Sequence, residues 1–170
     1  MEHHVNLVHN IPFFSVFFAM FCGIITPLLK SGRAARHLHG FMVGLVGMLS
    51  VVLLVSVVKN QEAYTFMMGH FPAPWGNEIR IGELEALMAV FFSLIMMLSV
   101  FGGMAHIDRE VQDSKKNLFY ILLDLLMASL LALIYTNDLF TAYVFIEINT
   151  IAACGLIMIK KQGRTYVSAL

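Results

Sequence analysis

The sequence predicts an all-α integral membrane protein of about five transmembrane helices, with the N-terminus outside and the C-terminus cytoplasmic. Three observations carry this. Of 170 residues, 59% are apolar and 13% charged, and the mean hydropathy is +0.79, outside the range of soluble domains. Long apolar runs recur along the chain, each near the ~20 residues that cross a hydrocarbon core ~30 Å thick. Cations fall almost entirely on alternate connections. A formal net charge of zero, with no basic patch outside short loops, argues against a nucleic-acid partner.

The spans are expected at 11–29, 39–58, 84–107, 118–135 and 139–159. Five spans and their loops use nearly the whole length, leaving a single membrane domain over 1–170. Helices are required because hydrocarbon offers no water to open backbone groups. Pro12 and Pro27 lie near the ends of the first span, where a missing amide proton is tolerated. No basic stretch precedes that span, so it is expected to be retained and not cleaved as a signal peptide. The connection through Lys30, Arg33 and Arg36 is short and basic. If it is cytoplasmic, Arg109, Lys115, Lys116, Lys160, Lys161 and Arg164 join it inside, with only Lys59 and Arg80 outside, which sets the orientation.

The second span carries Gly40, Gly44 and Gly47. The spacing of the first two allows close helix approach and predicts packing, not chemistry. The connection between spans two and three is the longest; its prolines and glycine break helices, and Trp75 suits the membrane interface. Glu83 and Glu85 open the third span, where carboxylates favour the positive helix end. Cys22 and Cys154 sit in apolar runs and read as small packing residues. The histidines belong to the N-terminal tail (His3, His4, His9) or to loops and helix ends (His37, His39, His70, His106), and no pair has metal-ligand spacing. No metal site is expected.

Every lysine and arginine lies in a loop or at a helix end, so the formally charged residues deep in the bilayer are two acids, Glu147 and Asp124. A charge near the bilayer centre costs on the order of 2.5–3.5 kcal/mol, so such a residue has a partner or a task, and desolvation favours its protonated form. Glu147 is about eight residues into its span, roughly 12 Å deep. Tyr143, Thr150 and Cys154 share its helix face, forming a narrow polar stripe that faces protein or water. The competing reading is a protonated glutamic acid that glues two helices. Asp124 should lie roughly 9 Å from the cytoplasmic edge; a place on a staggered proton path and simple hydrogen bonding near a water-accessible end are both open.

From His70 onward the sequence resembles the antiporter-like membrane subunits shared by Mrp-type sodium/proton antiporters, membrane-bound hydrogenases and respiratory complex I. Phe71-Pro72-Ala73-Pro74-Trp75-Gly76 looks most like the D subunit of Mrp systems. Gly82-Glu83-Leu84-Glu85-Ala86-Leu87-Met88 is similar to the start of the family's third helix, where an aspartate or similar polar residue and Leu-Ser-Ala-Leu-Met are usual. Asn137-Asp138-Leu139-Phe140-Thr141-Ala142-Tyr143-Val144-Phe145-Ile146-Glu147 looks like the start of the fifth helix, whose buried glutamate belongs to the family's proton path. The resemblance implies that role for Glu147 and assigns none to Asp124.

Family members have about fourteen helices and pair that glutamate with a lysine on the seventh. This chain reads as their first part, with 166–170 looking like the beginning of a sixth helix. The resemblance therefore implies a split or truncated subunit of a multisubunit cation-translocating complex in the cell membrane, coupled to proton and/or sodium movement or to a hydrogenase or dehydrogenase. Other membrane subunits are expected as partners, one of them supplying the missing helices and an intramembrane lysine. The sequence has two cysteines and no GxGxxG, so no cofactor and no catalytic residue is expected in this chain, and redox chemistry falls to other subunits. The translocation residues expected are Glu147 and Asp124, with Tyr143 and Thr150 beside Glu147. The alternatives are a structural subunit packed against a transporter off the ion path, and a small self-contained transporter acting as a homo-oligomer.

Overall fold

The computed structural model describes residues 8–29, 31–67 and 76–159. His3, His4, Lys30, residues 70–75 with Trp75, Lys160, Lys161, Arg164 and the expected sixth helix at 166–170 lie outside the described residues.

Five helices are long and apolar enough to cross a membrane. Helix α1, Ile11–Ile25, starts with Pro12 in its first turn and ends in a 3-10 turn, Thr26–Leu28, that holds Pro27. Helix α2, Gly32–Asn60, begins seven residues before the expected 39. Apolar patterning marks what the bilayer covers, whereas the helix begins where Ser31 caps it, its hydroxyl accepting from the Arg33 amide at 3.3 Å; Ala34 and Ala35 carry the helical conformation through the polar first turns. The correction places Arg36 and His39 inside α2. Gln61 closes the helix in the left-handed conformation (φ 54°), its amide donating to Val57 O.

The expectation of an all-α chain is also corrected. In the connection after α2, β1 (Tyr64–Met67) pairs antiparallel with β2 (Glu78–Ile81) in the register Tyr64↔Ile81 and Met67↔Glu78. Ile79 and Ile81 are buried, and Ile79 also bridges to Thr136. The Asn137 amide donates to Glu78 O at 2.8 Å. This hairpin therefore ties the α2–α3 connection to the corner between the last two spans, satisfying backbone groups that would otherwise be stranded.

Helix α3, Glu83–Gly102, has both Glu83 and Glu85 in its first turn. The expected span 84–107 breaks at Gly103. A side chain there would bring Cβ to 2.6 Å from Ser99 O, so the bend uses the one residue without a Cβ. The chain resumes as the short helix α4, Met104–Glu110. Helix α5, Lys116–Tyr135, follows a 3-10 turn at Asp113–Lys115, and α6 runs from Leu139 to Met158.

Helix α5 is the hub: it packs against α1, α2, α3 and α6. Its inward face holds Tyr120, Asp124, Met127, Leu131 and Tyr135, against Met42, Val46 and Leu53 of α2 and Ala19 and Cys22 of α1. Phe14, Phe17, Phe21 and Phe41 point outward, as a lipid-facing shell requires. Of the expected glycine contacts, Gly47 meets Ser93 of α3 and Gly40 meets the Phe101 ring, while Gly44 has open space. Closer interhelix approaches are made instead by Gly32 of α2 against Lys116 of α5 and by Gly155 of α6 against Leu122 of α5.

Asp138 caps α6, its carboxylate accepting from the amides of Phe140 and Thr141 and from the Thr141 hydroxyl at 2.7 Å. The Thr141 hydroxyl first, then its amide, hold this carboxyl below its usual range. A depressed folded value stabilises the fold above the ordinary carboxylate range, and that stabilisation is lost as pH falls through the folded value. Asp138→Ala should lower the Tm of the purified protein by about 2–4 °C at neutral pH, and the gap to wild type should close as the pH is taken below the usual carboxylate range. Thermal melts at a series of pH values check both.

Candidate functional site

The two acids expected on an ion path occupy different environments. Asp124, in the first half of α5, is fully buried. Its Oδ1 lies 2.6 Å from Nδ1 of His39 on α2, itself fully buried. Its Oδ2 is 3.2 Å from the Thr26 hydroxyl, which also stands 2.8 Å from Cys22 O. Gly23 packs against the Asp124 Cβ. Helices α1, α2 and α5 thus enclose one carboxyl. His39, read from the sequence as a residue of a loop or helix end, is its partner at the centre of the bundle.

The polar contacts continue toward the end of the bundle where α2 and α5 begin. The Tyr120 ring lies 5.7 Å from that of His39, and its hydroxyl accepts from Arg36 Nε at 2.9 Å. Arg36 Nη2 reaches Asp108 of α4 at 2.6 Å. Lys116 bonds Asp108 at 2.8 Å and Asp113 at 2.7 Å. The Lys116 contact first, and Arg36 after it, hold the Asp108 carboxyl below its usual range. Arg36 and His39 are one turn apart on α2, and Lys116, Tyr120 and Asp124 are successive turns of α5, so two helix stripes assemble the series.

Glu147 is exposed on α6, as are Tyr143 and Thr150, while Cys154 is half-buried. The expected stripe exists, and within the described residues nothing covers it. The Thr150 hydroxyl turns back to Ile146 O at 2.9 Å. Asn149 anchors the other side of α6, its amide donating to Ser129 Oγ of α5 at 3.2 Å. Because Asp124 lies on the far side of α5 from that seam, Asp124 and Glu147 are not brought together. Among the described residues no group of three His, Cys, Asp or Glu side chains converges as metal ligands would.

Thr26, Arg36, His39, Tyr120 and Asn149 escape the sequence reading as site residues. The one-turn spacings on α2 and α5 are the available signal, hidden because periodicity gives the face of a helix and not the helix opposite.

No protein-family model matches the sequence. Relatives and folds do. NADH-quinone oxidoreductase subunit N of Desulforudis audaxviator is 33% identical over 122 residues, 70% of this chain and 23% of that one. The D subunit of the Na(+)/H(+) antiporter of Alkalihalophilus pseudofirmus is 30% identical over 131 residues, 76% of this chain and 26% of that one. The described bundle superposes on a chain of the Mrp complex from Dietzia with a TM-score of 0.81 at 16% identity, covering 96% of this chain and 30% of that one. A chain of the membrane-bound sulfane sulfur reductase, an archaeal respiratory membrane complex, matches with a TM-score of 0.74 at 21% identity, covering 96% and 32%. The fold and sequence together define an antiporter-like membrane subunit. More particularly, the chain is a homologue of NADH-quinone oxidoreductase subunit N and of the D subunit of Mrp antiporters, and it spans about a quarter of the length of these curated relatives.

Removing one member of a buried hydrogen-bonded pair strands the other. His39→Leu should destabilise the protein by about 3–5 kcal/mol, whereas His39→Leu combined with Asp124→Leu should recover most of that loss. Unfolding of the purified protein in mixed detergent measures both.

Proposed function

We propose that this chain is a membrane subunit of a multisubunit complex that translocates protons, sodium ions or both, and that Glu147 is its ion-path carboxylate. The observation that carries this reading is the placement of Glu147. Helix α6 has membrane length, yet Ala152 is its one buried residue, and its exposed surface presents Tyr143, Glu147 and Thr150 among apolar side chains. A carboxylate left facing lipid there costs on the order of 2.5–3.5 kcal/mol, so a covering protein surface with a compensating group is the stable arrangement. A further membrane subunit supplies that cover and an intramembrane lysine. The family role of the fifth-helix glutamate supports the assignment.

Protonation of Glu147, or its engagement by that lysine, changes the charge and hydration of the half-channel it borders and couples one ion's movement to the other's. Asp124 takes a secondary part, because α5 stands between it and Glu147. The nine-to-two distribution of cations supports an outside N-terminus and a cytoplasmic C-terminus in the cell membrane. This chain contributes no cofactor; where the complex is driven by redox chemistry, other subunits carry it.

Glu147→Gln keeps the shape and removes the charge. In everted vesicles containing the assembled complex, ion-dependent collapse of a pH gradient should fall at least about tenfold, a barrier increase of roughly 1.4 kcal/mol. Normal assembly with normal transport would sink the assignment and leave a scaffold subunit packed beside the ion path. Purification through a tag on this chain, followed by mass spectrometry, should recover a membrane partner that carries intramembrane lysines.

A further inference from the structure

We propose that Asp124, His39 and Thr26 form a binding site for a single proton, set one helical turn from the charged end of the bundle. The site is separate from Glu147 and stands whether or not Glu147 carries ions.

The hydrogen-bond inventory defines where the proton sits. His39 Nε2 is buried and has no partner among the described residues, so a proton placed there would be a stranded donor inside the protein. The site takes the imidazole with a single ring proton, on Nδ1, which donates to Asp124 Oδ1 across 2.6 Å. Thr26 has one hydroxyl proton and two acceptors within reach, Cys22 O at 2.8 Å and Asp124 Oδ2 at 3.2 Å. When Asp124 is a carboxylate, that proton turns to Oδ2. When a proton binds Oδ2, the new O–H donates to Thr26 Oγ1 and the Thr26 proton returns to Cys22 O. In both states every donor has an acceptor. Loading adds one proton to one oxygen and changes the net charge of the pair from minus one to zero, the form an apolar interior favours.

The groups facing the site are Cys22 and Thr26 from α1, Arg36 and His39 from α2, and Tyr120 from α5. Arg36 is the cation one turn from His39, and Asp108 holds it toward the bundle end.

On the side away from Arg36 the interior turns apolar. Ser50 and Tyr135 are the next buried polar residues on these α2 and α5 faces, each eleven residues beyond His39 or Asp124, about 16 Å along the helix. The intervening layer is Met42, Val46, Met127 and Leu131, all without exposure. An apolar layer on that side makes this a storage or sensing site and not a through-channel.

The test is infrared spectroscopy of the complex purified through a tag on this chain and held in lipid bilayers, titrated with pH. A buried protonated-carboxyl band that grows as pH falls is expected, and it should vanish in Asp124→Asn. If Asp124→Asn does not assemble, Thr26→Val decides, because losing the hydroxyl should shift the band. A band indifferent to Asp124→Asn, or to Thr26→Val in that case, overturns the site, as does the lack of any titrating carboxyl band. In Glu147→Gln the same band should persist, so loss of transport there tests the ion path alone.

Discussion

One carboxyl held inside a hydrocarbon-embedded bundle constrains much of this architecture. Asp124 is fully buried, and α1 and α2 supply its hydrogen-bonding partners from turns of different origin. Thr26 comes from the 3-10 turn that Pro27 imposes on the end of α1. His39 comes from the third turn of α2, which starts early because Ser31 caps it. Tyr120, one turn before Asp124 on α5, sets its ring 5.7 Å from that of His39. A shift of α1 by one residue would carry Thr26 about 100° around its axis and out of reach, so the buried polar contact fixes helix rotation in a bundle whose apolar surfaces, facing equally apolar lipid, specify it weakly.

The same logic sorts what the sequence discloses. Hydropathy locates all five spans because membrane length and apolarity are properties of single segments. The fifth span is legible to within a residue, since Asp138 is a cap recognisable from its type and position and Lys160 ends the apolar run. The third reads too long, because Gly102 and Gly103 sit in a run that is still apolar and the break is a property of backbone geometry. The hairpin is invisible because its strands are four residues each, and the further bridge that holds Ile79 comes from Thr136, more than fifty residues on.

The candidate site shows where that legibility ends. Glu147 and Asp124 stand out as acids without nearby basic residues on their own helices, a signal contained in one segment. His39 does not, because a histidine near a span end resembles many interfacial histidines until the facing helix is known. Arg36 likewise looks like a loop cation serving orientation, and it does lie at the bundle end, but its fork is committed to Tyr120 and Asp108. Partner identity is a tertiary quantity. The two acids consequently separate into one whose partners lie within the chain and one whose surroundings the described residues leave open.

Helix α6 touches the rest of the bundle along one seam, with Gly155 against Leu122, Asn149 on Ser129, and Asn137 fastened to Glu78. Helices α1, α2, α3 and α5 also pack directly on one another. During biogenesis the four earlier helices can complete their interior while α6 is still leaving the insertion machinery, and the helix that bears Glu147 is then laid on a finished surface. The outer face of α6, with Glu147 along it, is thus the open edge of a solid platform.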